Sequence, residues 1–186
     1  MSQQEALSGQ VAAALVDTLE LSWRLEAQTG YAVQDLIDHL LALDPAPFDV
    51  ALICVGVNDV TGRTRARDWS RRLLALMHLL RSRFAVMHVV FSGLPPMHAF
   101  PALPQLLRWY LGARAARFDA LLAECARQDA HCDLLRVDFP LQADHMATDG
   151  FHPGAPAYRL WGEAAATIIR KRVGGVVAPA SAGAAA

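Results

Sequence analysis

An α/β fold built on a parallel sheet is what this sequence predicts, and two observations predict it. Strand-like and helix-like stretches alternate along the chain. The clearest strand, FAVMHVVF from Phe84 to Phe91, is a continuous apolar run instead of an alternating one, as in strands buried on both faces by helices. A chain of 186 residues, 54% of them apolar, has enough to bury for one domain.

The elements follow in order. Gln10 to Leu19 reads as helix, Ser22 to Gln28 as strand, Val33 to Leu43 as helix and Val50 to Val55 as strand. Arg67 to Arg83 reads as helix, ahead of the Phe84 to Phe91 strand; Leu103 to Gln128 is helical, and Asp133 to Val137 is a strand. Pro156 to Arg172 closes the series as an amphipathic helix. Pro156 suits its first turn, Tyr158, Trp161, Ala165, Ile168 and Ile169 fall on one stripe, and Arg170, Lys171 and Arg172 complement the negative end of its dipole. Residues 1–172 are thus expected to form one domain, without internal repeats or linkers. The small-residue tail, 173–186, has little to bury and is expected to be disordered.

Bulk properties remove several function classes. Net charge is −1 and the basic residues are spread along helices without interleaved aromatics, so no nucleic-acid partner is expected. The longest apolar runs are strand-length, far short of the ~20 residues of a membrane-spanning helix. Cys54, Cys125 and Cys132 are odd in number and lack CxxC spacing, which points to buried free thiols and away from disulfides or a thiolate zinc site. MSQQEALSGQ has neither a basic region nor an apolar core of a signal peptide, so as written the chain is expected in the cytoplasm.

In open parallel sheets ligands bind beyond the carboxyl ends of the strands. The loops leaving those ends carry Thr29 and Gly30, Gly56 to Thr64, Ser92 to Phe100, and Asp138 to Pro153. DGFHPG, Asp149 to Gly154, is the richest. An Asp three residues before a His can hold Nδ1 of the imidazole so that Nε2 faces outward as a base; the same residues also suit a turn capped by Asp149 with His152 as a packing residue. In VALICVGVNDVTGRT, Val50 to Thr64, Gly56 relieves the exit from the strand, and Asn58 can donate its side-chain NH₂ to a developing oxyanion. The main-chain N–H of Gly30 is a second candidate donor, because glycine admits close approach. Asn-Asp after a strand is equally ordinary turn chemistry, and Asp59 is expected to bond loop backbone.

Together these loops resemble the SGNH hydrolases, the GDSL-type esterase and lipase superfamily. Gly56-Val57-Asn58-Asp59 matches the family's GxND block, Asp149-Gly150-Phe151-His152-Pro153 its DxxHP block, and Gly30 its oxyanion glycine. The resemblance runs from about Ala6 to Arg172. It implies a flavodoxin-like, three-layer α/β/α sandwich and an esterase acting on small-molecule carboxylic esters without a cofactor or metal. His152 would be the general base, Asp149 its orienting partner, and Gly30 and Asn58 the oxyanion donors.

The family's first block, a strand followed by GDS with the nucleophilic serine, has no counterpart here. SQQEALSGQVAAAL corresponds to the segment after it, so the first strand and the nucleophile are expected to lie upstream of the residues given, the chain being truncated at its start. Of the serines present, Ser92 in SGLPP alone follows a strand end, and nothing marks it as activated. In the strand order 2-1-3-4-5 the missing strand would lie between Ser22 to Gln28 and Val50 to Val55, leaving two unpaired rows of backbone groups. Leu94 to Gly112, apolar and proline-rich, reads either as a pocket lining or as a helix entry packed on the core.

Two other readings stay open. Asp144, His145, Asp149 and His152 form a cluster able to hold a cation, though at no helix-face spacing. Without a nucleophile, the chain also reads as a non-catalytic binding module. His39, His78, His88, His98 and His131 lack partners at ligand spacing and are taken as structural.

Overall fold

The structure is a computed structural model that describes residues 6–100, 102–137 and 153–174. Nine elements of regular structure bear on the site. They are helices α1 (Leu7–Leu15), α2 (Val33–Ala42), α3 (Val57–Thr61), α4 (Ala66–Phe84), α5 (Gln105–Arg127) and α6 (Ala155–Gly174), and strands β1 (Val50–Ile53), β2 (His88–Ser92) and β3 (Cys132–Leu135). The strands form one parallel sheet in the order β1-β2-β3, with Val50 opposite His88 and Val89 opposite Cys132. An α/β fold with a parallel sheet is therefore correct.

Helices cover both faces. Val90, Leu135, Leu15, Ala165, Ala166 and Ile169 join in a core on the α1 and α6 side. On the other face Ile53, Val89 and Phe91 pack with Leu36, Leu73 and Phe118 from α2, α4 and α5. Every residue of β2 is buried, which is why its sequence runs apolar without alternation. Close packing of α1 on α6 depends on Gly162, where a Cβ would stand 2.7 Å from Cβ of Gln10. Arg170 donates to the Ala14 carbonyl at 2.8 Å, and Arg172 grips Asp133 with bonds of 2.6 and 2.7 Å. These arginines thus do more than face a helix dipole.

Two element readings need correction. Ser22 to Gln28 forms no strand: among the described residues the sheet has three strands, and nothing in this segment pairs with β1. A strand is stable only when its backbone groups find a neighbouring strand, and β1 is separated from this segment by a cavity. The second correction concerns Phe84, which ends α4 and does not begin β2. Ala85 takes φ +48°, and Val86 N–H reaches back to the Leu80 carbonyl at 3.2 Å, so the strand starts only at His88. The apolar run hid this boundary because Phe84 is buried as a helix residue.

Candidate functional site

The carboxyl ends of β1 and β2 converge with α3, the Gly30–Tyr31 turn and α6. Tyr31, Cys54, Gly56, Asn58, Ser92 and Trp161 line a recess of about 110 Å³ there. It adjoins a far larger cavity, about 1300 Å³, which also reaches Gly30 and Pro153.

Asn58 is fixed by its own side chain and by the turn that carries it. Its Nδ2 donates to the Tyr31 carbonyl at 3.0 Å, which ties α3 to the residue following Gly30. Below it, Gly56 starts α3 with φ +117°, a conformation L side chains rarely adopt. A Cβ on Gly56 would lie 3.0 Å from the Trp69 ring and 3.2 Å from Leu94. Trp69 is itself fixed, donating from Nε1 to the Phe118 carbonyl at 3.1 Å and stacking on the Phe118 ring. Gly30 also has positive φ, +90°, yet faces open space.

Asp59 is fully buried and bonds backbone, as its sequence context suggests. Oδ2 accepts from the Val33 N–H at 2.9 Å, satisfying one of the unpaired donors at the start of α2, and Oδ1 accepts from the Thr64 hydroxyl at 3.0 Å. Burial raises its carboxyl above the ordinary value, opposed by those two hydrogen bonds and by Arg72.

Arg114, on α5, was not foreseen. Its guanidinium donates to the carbonyls of Val60 at 2.6 Å, Asp59 at 3.0 Å and Gly62 at 3.3 Å, and also to Thr64, while lying 4.9 Å over the Phe118 ring. The loop following Asn58 is thus clamped by one side chain fifty or more positions away. No spacing in the sequence signals such a clamp.

On the opposite rim, the loop after β2 is anchored by Asp119, which accepts from Leu94 N–H at 3.0 Å and from Arg136 at 2.7 Å. Leu94, Pro95, Pro96 and Phe100 line the large cavity while Met97 is fully buried, so the stretch contributes both lining and core. Farther along it, Leu106, Trp109 and Tyr110 are exposed. Ser92 is buried and hydrogen-bonds Cys54. Cys54 is exposed onto the cavity, so the expectation of buried thiols holds for Cys125 and Cys132 and fails for Cys54, which directly follows β1, a strand facing unfilled space. The protein packed around its sulfur raises its thiol pKa, against the hydrogen bond with Ser92.

His39 does have an acidic partner, which spacing did not reveal: its Nε2 lies 2.6 Å from Glu26. That contact, with Arg24 on the same carboxylate, fastens the 22–28 segment to α2 and holds Glu26 below its ordinary value. Asp144, His145, Asp149 and His152 lie outside the described residues. Pro153, next in sequence to His152, lines the cavity that also reaches Gly30 and Asn58.

Comparison with known proteins agrees with this architecture. The model of the GDSL-like lipase/acylhydrolase family matches residues 2–160. A GDSL-like esterase of Mycobacterium tuberculosis is 30% identical over 138 residues, 71% of this chain and 43% of the relative's length. Among solved structures, a lipolytic protein of the G-D-S-L family from Veillonella parvula superposes with a TM-score of 0.70 at 14% identity, covering 92% of this chain and 91% of that one. A carbohydrate esterase family 3 protein from Talaromyces cellulolyticus gives 0.66 at 12% identity, covering 92% of each. At such identities these two speak to the fold alone. No described helix is long and apolar enough to cross a membrane. The extent of the family match and the mycobacterial relative together establish that the chain belongs to the GDSL-like lipase/acylhydrolase family of SGNH hydrolases.

Proposed function

We propose that this chain forms most of the active site of a serine esterase that hydrolyses small-molecule carboxylic (acyl) esters. Asp149 and His152 serve as orienting acid and general base, and the Gly30 N–H and Asn58 carboxamide as oxyanion donors. The observation that carries the reading is the Asn58–Tyr31 bond. It fixes the carboxamide beside the Gly30 turn, and an NH₂ group has two N–H donors, so one remains for substrate. Donors held rigidly before reaction stabilise developing charge without reorganisation, and here Gly56, Asp59 and Arg114 supply the rigidity.

In this mechanism a serine Oγ attacks the ester carbonyl, and His152 takes its proton and returns it to the departing alcohol. Gly30 and Asn58 hold the tetrahedral oxyanion. Water, activated by the same imidazole, then releases the acid and regenerates the serine. The chain's own described serines are poor candidates. Ser70 and Ser82 bond carbonyls within α4, Ser8 lies in α1, Ser22 lines the large cavity but not the recess at Asn58, and Ser92 is buried against Cys54. The reading therefore takes the nucleophile from a strand-and-GDS segment outside the residues given, as the family resemblance implies.

A protein extended by such a segment should label with a fluorophosphonate and hydrolyse p-nitrophenyl acetate, whereas the given chain should not label. In the extended protein, Asn58→Ala should lower kcat ~100-fold or more with little change in KM. A pure KM effect would remove Asn58 from the mechanism. Activity abolished by a chelator would favour a cation held by Asp144, His145, Asp149 and His152.

A further inference from the structure

The first half of α5 is apolar on both sides. Leu111, Ala115, Phe118 and Leu122 are buried where the helix packs on α3, α4 and β3. Leu106, Trp109, Tyr110 and Ala113 recur at helical spacing on the outward side, where Leu106 is 85% exposed, Trp109 74% and Tyr110 55%. Leu107 beside them is exposed as well. Side chains so placed gain no burial on folding, so the stripe contributes nothing to the protein's own core.

This face is held rigidly. Gly112 lies against the single turn Met97–Ala99 so closely that a Cβ there would stand 2.5 Å from Cβ of His98. One turn after Tyr110, Arg114 bonds the helix to the carbonyls of Asp59, Val60, Gly62 and Thr64. A surface already in its final backbone conformation costs little to cover.

Charge selects what covers it. Residues 94–118 carry Arg108, Arg114 and Arg117 and no Asp or Glu. Residues 60–67, which Arg114 ties to α5, carry Arg63, Arg65 and Arg67 and again no acid. Six arginines without a carboxylate thus belong to two adjoining stretches of a chain whose net charge is −1, and Arg63, Arg65, Arg67 and Arg117 are exposed. A second copy docked through the same face would set these positive charges against their equals. Nucleic acid would suit the arginines but offer Leu106 and Leu107 no apolar partner. An anionic bilayer satisfies both, because its acyl boundary takes the leucines, its headgroup level suits Trp and Tyr rings, and its negative surface attracts the arginines.

We propose that the outward face of the first half of α5 is a docking surface for an anionic lipid bilayer, on which the protein lies with Leu106, Leu107, Trp109 and Tyr110 at the boundary of headgroups and acyl chains. The docking rests on this face and its arginines, and stands apart from the esterase reading.

The test uses the given chain and vesicles of phosphatidylcholine, either pure or with about a third phosphatidylglycerol. The protein should sediment with the anionic vesicles at least ~10-fold more strongly than with the neutral ones, and less so as salt rises. Leu106→Ser with Trp109→Ser should weaken this binding ~30-fold or more, and Arg63→Gln with Arg65→Gln ~10-fold. Because these side chains are exposed, both variants should melt within ~2 °C of the parent. Should the first pair instead unfold, Leu106→Ser alone, at the most exposed of the four positions, carries the same comparison with an expected loss of ~10-fold. Trp109→Phe should keep the binding and abolish the vesicle-induced blue shift of tryptophan emission. Failure to sediment with anionic vesicles, equal binding to neutral ones, or binding undiminished in the Leu106 and Trp109 variants would overturn the proposal. So would a vesicle-free dimer that the Leu106 and Trp109 substitutions dissociate, which would assign the face to a second copy.

Discussion

Gly56→Ala, set beside Gly30→Ala, separates two reasons for needing glycine. Both positions have positive φ, +117° and +90°, so an added Cβ strains each backbone by about 1–3 kcal/mol. Only at Gly56 does the Cβ meet anything: Trp69 at 3.0 Å and Leu94 at 3.2 Å, against nothing within 4 Å at Gly30. Trp69 cannot yield freely because its ring is stacked on Phe118 and its N–H is bonded to the Phe118 carbonyl. Overpacking of this kind adds about 1–3 kcal/mol. Gly56→Ala should therefore destabilise by about 2–6 kcal/mol and Gly30→Ala by about 1–3 kcal/mol. In urea, with slopes near 2 kcal/mol/M, the two midpoints should differ by roughly 0.5–1.5 M. Equal midpoints would show that contact with Trp69 contributes nothing. A lower midpoint for Gly30→Ala would overturn the assignment of the tighter site to α3.

Three further outcomes can be checked on the same protein. Arg114→Met keeps an apolar stem over Phe118 but removes the donors to four loop carbonyls; it should cost about 2–4 kcal/mol by urea denaturation, and a loss under 0.5 kcal/mol would dismiss the clamp. Asp59 has a raised folded-state pKa, so the folded state binds the extra proton and stability falls as pH rises from the ordinary value of 3.8 through the folded one. Asp59→Asn should lack that component, visible as a stability difference from wild type that changes across this window and then levels off; a flat difference would contradict it. Glu26 is lowered, first by the His39 hydrogen bond, so its contribution is present above 4.5 and is lost as pH falls through the folded value. Glu26→Gln should remove this acid-side loss, and an unchanged slope below pH 4.5 would show that the Glu26–His39 pair is not coupled to folding.

Much of the molecule was legible in local patterns. The alternation of helices with apolar runs predicted the α/β class, and the stripe from Tyr158 to Ile169 located α6, because burial on one or two faces imposes its period on the sequence. Gly56, Asn58 and Asp59 could be read as a strand exit because positive φ and turn polarity are chemistry of neighbouring residues. Ser22 to Gln28 failed by the same logic: the alternation of Trp23, Leu25 and Ala27 with polar residues suits a strand, but a strand exists only with a partner, and alternation does not supply one.

By itself, the sequence determined which stretches seek burial and which loops carry polar and titratable side chains, since those are properties of adjacent residues. Only the tertiary structure decided that Arg114 clamps the Asn58 loop, that Glu26 meets His39, and that β1 is left with an open edge over a cavity. Each of these joins groups far apart along the chain or depends on space left unfilled. Such arrangements are fixed by packing in three dimensions and leave no period or spacing to read.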